Sequence, residues 1–159
     1  MNVRIKRVGE HDLPVPSYAT AGAAGFDLCA RVDYDEVREF HSCGRDGVGK
    51  DYVWVHPENT IAIPCGFAFE VPEGYELQVR PRSGLSRKGV YVAVGTIDSD
   101  YRGEVAVIVT NFTGETLRIN RGDRIAQGII APVVRASFDE VYVLSETARG
   151  ANGFGSTGK

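Results

Sequence analysis

The densest chemistry in this sequence lies in VGTIDSDYRGE, Val94 to Glu104, where two acids, Asp98 and Asp100, flank one serine beside Tyr101. In an extended strand, alternation puts both carboxylates on one face. Such a pair suits a general base, hard oxygen ligands for a metal, or an ordinary polar turn. Gly95 and Gly103 bracket the run, which predicts a β-hairpin into which a flat ligand fits. A second run, RPRSGLSRKG from Arg80 to Gly89, carries four cations and two hydroxyls around Gly84. Ser83 to Lys88 reads as one short helical turn, capped by Ser83 and closed by Gly89. Cations beside a helix N-terminus make an anion site, and Pro81 and Gly84 fix backbone shape as well. The plainer alternative is a solvated basic turn.

Three further runs carry weaker signals. AGAAGFDL, Ala21 to Leu28, surrounds one acid, Asp27, with small residues. Small side chains let a backbone or ligand approach closely, but a tight turn capped by Asp27 accounts for the run better. NRGDRIAQ, Asn120 to Gln127, is a turn feeding a strand, with Gln127 as its candidate ligand-binding side chain. The tail RGANGFGSTGK, Arg149 to Lys159, has four glycines and one aromatic. Its N–H groups, Arg149, Ser156 and Thr157 suit phosphate, and Phe154 suits stacking on a base.

The elements that must position these groups are short strands. Ile61–Ile63, Phe67–Val71, Leu77–Val79, Val105–Val109 and Thr116–Ile119 are β-branched or alternating, and the start, MNVRIK, alternates likewise. PEG at 72–74, TG at 113–114 and RGD at 121–123 supply turns between strands. Such spacing predicts an all-β sandwich, barrel or jelly roll. Asp33 to Asp51 breaks the rhythm: it is polar, carries both charge signs and reads as a long surface loop or insertion, a candidate surface for a protein partner. The tail has too little apolar surface to order itself when free. The expected organisation is therefore one β domain over residues 1–148, followed by a mobile arm over 149–159.

Bulk properties exclude several classes. A chain of 159 residues, 43% apolar and 25% charged, is an ordinary globular domain. At this length it buries about 68–70% of its unfolded surface without staples. A net charge of −3 with no dominant basic patch argues against polymeric nucleic acid. No apolar run approaches the roughly 18 residues of a membrane span. Three sparse cysteines, Cys29, Cys43 and Cys65, read as reduced thiols of a cytoplasmic protein. His41 and Cys43 are a weak metal pair, and a solvated loop explains them better. His11, His41 and His56 lie outside every run and read as surface or structural residues.

Taken in order, AGAAGFDL, RPRSGLSRKG, VGTIDSDYRGE, RGDRIAQ and RGANGFGSTG resemble the five motifs of the trimeric dUTPases. The resemblance covers Ala19 to Leu28 and Cys65 to Lys159. It implies a jelly-roll-like β subunit, a homotrimer, sites at subunit interfaces, and Mg²⁺-assisted hydrolysis of dUTP to dUMP and pyrophosphate. That activity keeps uracil out of DNA and supplies dUMP for dTMP synthesis. Carried over motif by motif, Asp98 orients and deprotonates the attacking water, with Asp27 as a supporting acid. Tyr101 stacks under the deoxyribose, and the backbone around Thr96 and Ile97 pairs with uracil. Arg82, Ser83, Gly84 and Gln127 hold the triphosphate; Arg149, Phe154, Gly155, Ser156 and Thr157 close over it from another subunit. Mg²⁺ sits on phosphate oxygens and waters, its usual preference, with no dedicated protein ligand.

The sequence departs from the family pattern at Gly128, where a bulky apolar residue is more usual and whose absence predicts looser packing behind the phosphates. Asn152 replaces a common Gly, and Val92 replaces an Asn that touches uracil in some bacterial members, leaving the base to the backbone. A dCTP deaminase shares the resemblance in fold. It needs a Glu in the strand following the motif, where this chain has VAVIV, with Ile108 at the approximate position. A non-catalytic nucleotide sensor is the other alternative, against which the presence of every catalytic position counts.

Overall fold

The computed structural model describes residues 1–34 and 43–153. The regular structure of the described residues is nearly all strand: β1 (Arg4–Arg7), β2 (Phe26–Cys29), β3 (Cys43–Arg45), β4 (Asp51–Val55), β5 (Thr60–Pro64), β6 (Phe67–Glu70), β7 (Tyr75–Arg80), β8 (Val90–Val92), β9 (Gly95–Ile97), β10 (Ala106–Asn111), β11 (Leu117–Asn120) and β12 (Arg124–Pro132). A one-turn helix, Ser83–Ser86, lies between β7 and β8. All pairs are antiparallel, in sheets ordered β1-β6, β5-β10-β8, β11-β4-β3 and β2-β12-β7-β9. This is the expected all-β, jelly-roll-like architecture. No helix among the described residues is long and apolar enough to cross a membrane.

Alternation explains the core. In β10, Val107, Val109 and Asn111 turn inward while Ala106 and Ile108 face out, as the two-residue period of a strand requires. The inward set joins Leu28, Val55, Leu77, Val92 and Val105, all fully buried. Asn111 is the one amide in this core. Its Nδ2 donates to the carbonyls of Val55 and Glu115 at 2.8 Å each, and its Oδ1 accepts from the Thr113 N–H and hydroxyl. A buried amide so satisfied carries no desolvation penalty.

The polar loop expected over Asp33–Asp51 is in part a β-hairpin. Cys43, Gly44 and Arg45 pair with Val53, Tyr52 and Asp51. Charge pairing orders it: Arg45 Nε donates to the buried Asp51 at 2.5 Å, and the Tyr34 N–H donates to the same carboxylate at 3.1 Å. Asp46 closes the turn by accepting from the N–H groups of Val48 and Lys50. His41 lies outside the described residues. No disulfide joins Cys29, Cys43 and Cys65. The compact body also ends earlier than expected. After Pro132 every described residue is exposed, including Val134, Phe138, Tyr142 and Leu144.

Candidate active site

One group of candidate residues forms at the end of the four-stranded sheet. Asp27 of β2 lies opposite Gln127 of β12, which lies opposite Arg80 of β7. Beyond Arg80 the chain turns at Pro81 into the short helix. Its N-cap is Arg82, in extended conformation and without a side-chain cap, so Ser83 is not the expected cap but the first helical residue. The N–H groups of Leu85 and Ser86 both donate to the Arg82 carbonyl at 3.0 Å. Those of Ser83 and Gly84 precede the helical ladder, on exposed residues.

Side chains converge on that turn. Arg82 Nε stands 3.2 Å from Asp27 Oδ1, and Arg124 Nη1 donates to Asp27 Oδ2 at 3.3 Å. Arg82 Nη1 donates to the Arg124 carbonyl at 3.0 Å, and Gln127 Nε2 donates to the Pro81 carbonyl at 3.0 Å. Asp27 is thus a strand residue gripped by two guanidiniums, not the cap of a tight turn. Arg124 is the member that motif reading missed; its one signal was a cation three residues before Gln127. Strict alternation would set these two on opposite faces. A bulge does otherwise: Arg124 pairs with Cys29 and Ala126 with Leu28, so one extra residue sits in β12.

The packing behind this group is tight. Gly128 was expected to loosen it, but the Phe26 ring fills the space: a Cβ on Gly128 would stand 2.5 Å from Phe26 Cε2 and 3.0 Å from Leu77 Cδ1. Phe26 in turn stacks on Phe69, 5.8 Å between centroids. Cys29 lines a cleft of about 190 Å³ with Asp27 and Arg124. Burial, and then the Asp27 carboxylate, push its thiol pKa up, so it stays protonated and is a poor nucleophile.

The second group follows β9. Gly95 to Ile97 pairs with β7, whereas β10 pairs with β5 and β8. The run from Val94 to Glu104 is therefore a strand and a turn, not the expected hairpin. The turn closes with the Tyr101 N–H donating to the Asp98 carbonyl at 3.1 Å. Both acids, exposed, lie in that turn rather than along one strand face. Thr96 and Asp98 border a cleft of about 350 Å³ with Tyr75, Glu76 and Arg135. Ile97 packs at the edge of the core. Val92 is fully buried in the core. Tyr101 lies over Gly103, where a Cβ would strike its ring, and its hydroxyl donates to the Glu104 carbonyl at 3.2 Å.

The two groups stand apart. Ile97 pairs with Leu77, which sets Asp98 level with Glu76, four residues from Arg80 along β7. That is roughly 13 Å along the strands, and three strand spacings from β2 to β9 add roughly 14 Å across. The Asp27 and Asp98 backbones are on the order of 20 Å apart. Arg149 is exposed in the tail, its Nε donating to the Asn152 carbonyl at 3.0 Å. Phe154, Gly155, Ser156 and Thr157 lie outside the described residues. Among the described residues, no group of three or more His, Cys, Asp or Glu could hold a metal. A hard divalent cation therefore fits this surface only if phosphate and water supply most of its oxygens.

The chain is similar to known proteins over nearly its whole length. Residues 11–158 match the family profile described as dUTPase. A deoxyuridine 5'-triphosphate nucleotidohydrolase of Anaplasma marginale is 46% identical, over 99% of both chains. One of Caulobacter vibrioides is 49% identical, over 98% of this chain and 94% of its own. A mutant dUTPase of Staphylococcus bacteriophage 80alpha, solved with dUpNHpp, superimposes with a TM-score of 0.80 at 22% identity, over 99% of both chains. The chain belongs to the dUTPase family.

Proposed function

We propose that this chain hydrolyses dUTP to dUMP and pyrophosphate, as the names of its curated relatives describe for them. The observation that carries the reading is that Arg82 and Arg124 both meet Asp27, beside a turn that Gln127 holds at the Pro81 carbonyl and from which the exposed Ser83 and Gly84 follow. Cations and unladdered N–H groups side by side make a triphosphate seat. Gly84 supports it: a Cβ there would meet nothing in the chain. The fold does not need that glycine, whereas a closely approaching ligand does.

In this reading, Asp98 accepts a proton from water as its oxygen attacks the α-phosphorus. The bond from that phosphorus to the α–β bridging oxygen breaks, pyrophosphate leaves with the electron pair, and the proton passes to solvent. Positioning and charge neutralisation supply most of the catalysis. Thr96 and Ile97 present backbone to the uracil edge, and Tyr101 lies under the deoxyribose. Asp27 would support Mg²⁺ through water. When bound to the phosphates, that ion neutralises charge. The physiological role is to keep uracil out of DNA and to provide dUMP for dTMP synthesis, in the cytoplasm.

A base and the phosphate donors acting on one nucleotide must stand within a few ångströms of it. The separation of roughly 20 Å within one chain therefore favours a site shared between copies, in a homotrimer. Two exposed apolar surfaces support association. One is the outer face of the β5-β10-β8 sheet with Tyr91 and Ile108; the other is the stretch holding Phe138, Tyr142, Val143 and Leu144. In the trimer, residues 149–159 form an arm whose Arg149, Phe154, Gly155, Ser156 and Thr157 cover a neighbour's site. The test is pyrophosphate release from dUTP, dCTP, dTTP and UTP with Mg²⁺. Turnover of dUTP alone is expected. Ammonia release from dCTP, or nucleotide binding without turnover, would overturn it.

A further inference from the structure

We infer that Glu104 is a positioning residue that fixes Tyr101 and so sets the preference for a 2′-deoxy sugar; this rests on the proposed role of Tyr101. The turn that carries Asp98 and Tyr101 is held at two ends by different means. Its first end is β9, tied to β7 by pairing. Its second end is Glu104, whose side chain is only 18% exposed. Glu104 Oε1 accepts from Arg31 Nε at 3.0 Å and from the Gly66 N–H at 2.6 Å, and Oε2 accepts from Arg31 Nη2 at 3.3 Å. Both oxygens are used, across a separation of 73 residues to Arg31 and 38 to Gly66.

Those anchors do not yield easily. Arg31 is buried and also donates to Asp33 Oδ2 at 2.7 Å. Gly66 has φ +80°, and a Cβ there would stand 2.5 Å from His11 Nε2. The same ring nitrogen lies 2.7 Å from the Gly66 carbonyl oxygen, so the corner is closed on both sides. From Glu104 the chain enters the core at once, the Val105 N–H donating to the Phe67 carbonyl and the Cys65 N–H to the Val105 carbonyl, 2.9 Å each. Tyr101 depends on this end directly. Its hydroxyl donates to the Glu104 carbonyl, and its ring occupies the space beside Gly103.

A carboxylate is the side chain that accepts all three N–H groups. Glutamine offers one oxygen and would turn its NH₂ toward the Arg31 guanidinium, and aspartate is one methylene too short. Without the anchor, Tyr101 loses its seat before Asp98 does, because Asp98 follows directly from the paired β9. The expected signature is impaired sugar choice ahead of impaired chemistry.

Full-length Glu104→Ala, Glu104→Gln and Glu104→Asp are compared with Arg121→Gln. Arg121 belongs to the same ion network through Asp33 and Asp12 but does not touch the turn. For Glu104→Ala the dUTP/UTP ratio of kcat/KM is expected to fall about tenfold, part of the roughly hundredfold by which a pocket rejects a single added hydroxyl. The fall should come through a raised KM for dUTP, with kcat changed less than about threefold. Glu104→Gln and Glu104→Asp should fall between, and they carry the test if the alanine variant does not fold. Arg121→Gln should lower the melting temperature and leave the ratio alone. Glu104 variants that keep the wild-type ratio, while Tyr101→Ala loses it, overturn the inference and leave the Tyr101 reading standing. A Tyr101→Ala enzyme with the wild-type ratio removes both, and so does a wild type that cannot hydrolyse dUTP.

Discussion

The guanidinium of Arg82 meets the carboxylate of Asp27 at 3.2 Å, tying the turn after β7 to the edge strand β2. Asp27 thereby holds Arg82 and Arg124 at one place by offsetting the repulsion between their like charges. Asp27→Asn is expected to lower kcat/KM for dUTP about 10–100-fold, the usual effect of removing an outer partner of a metal site. It should also raise the Mg²⁺ concentration needed for half-maximal rate. A magnesium titration of the variant that overlays the wild type removes Asp27 from this role.

Asp98→Asn keeps the shape of the side chain and deletes its proton-accepting ability. Turnover of dUTP is expected to drop about 10²–10⁴-fold, with binding of a non-hydrolysable dUTP analogue retained by calorimetry. Near-normal turnover in the purified variant eliminates Asp98 as the base.

Tyr101→Ala opens space beside C2′ of the sugar. UTP should become a better substrate relative to dUTP, read as the ratio of kcat/KM values. Tyr101 is 45% exposed in the single chain and lies outside the buried core, so the fold should survive the truncation.

The shared site has a direct test by complementation. Truncation after Ala148 should abolish most activity and leave the assembly folded, because the described residues beyond it are all exposed and bond only to their near neighbours in sequence. Refolding truncated chains with full-length Asp98→Asn chains joins an intact Asp98 to an intact arm in some sites. Activity should partly return. Hetero-trimers confirmed by native mass spectrometry yet inactive would show that each arm serves its own subunit, contrary to the proposal.

Asp51 gives a pH-dependent prediction for the hairpin. The Arg45 guanidinium beside it, aided by the Tyr34 N–H, holds its carboxyl below the ordinary carboxylate range against the effect of burial. The folded value is depressed, so the stabilisation is complete above the unfolded value of about 3.9 and lost as pH falls through the folded one. Asp51→Asn should therefore destabilise by about 1–2 kcal/mol at pH 7, and its urea midpoint should approach the wild type's as pH falls below the ordinary carboxylate range. A gap unchanged by acid would assign the effect to packing. Replacing residues 35–50 with a short Gly-Ser linker removes Arg45 as well; it should weaken stability similarly and spare dUTP turnover.

The strands, the turns and the five motifs in their order were legible in the residues themselves, because alternation, turn chemistry and motif spacing are local properties. Val107 and Val109 face inward by the period of two alone. Where long-range pairing intervened, local reading failed. The bulge that brings Arg124 beside Gln127 depends on how β12 meets β2, and no count along one strand contains it. The hairpin at Asp51 forms because opposite charges six residues apart find each other in a buried place, where a polarity count sees only a loop. The roughly 20 Å between Asp27 and Asp98 is likewise a property of sheet order: residues of one motif set stand as two separate groups once β12 and β7 are inserted between β2 and β9.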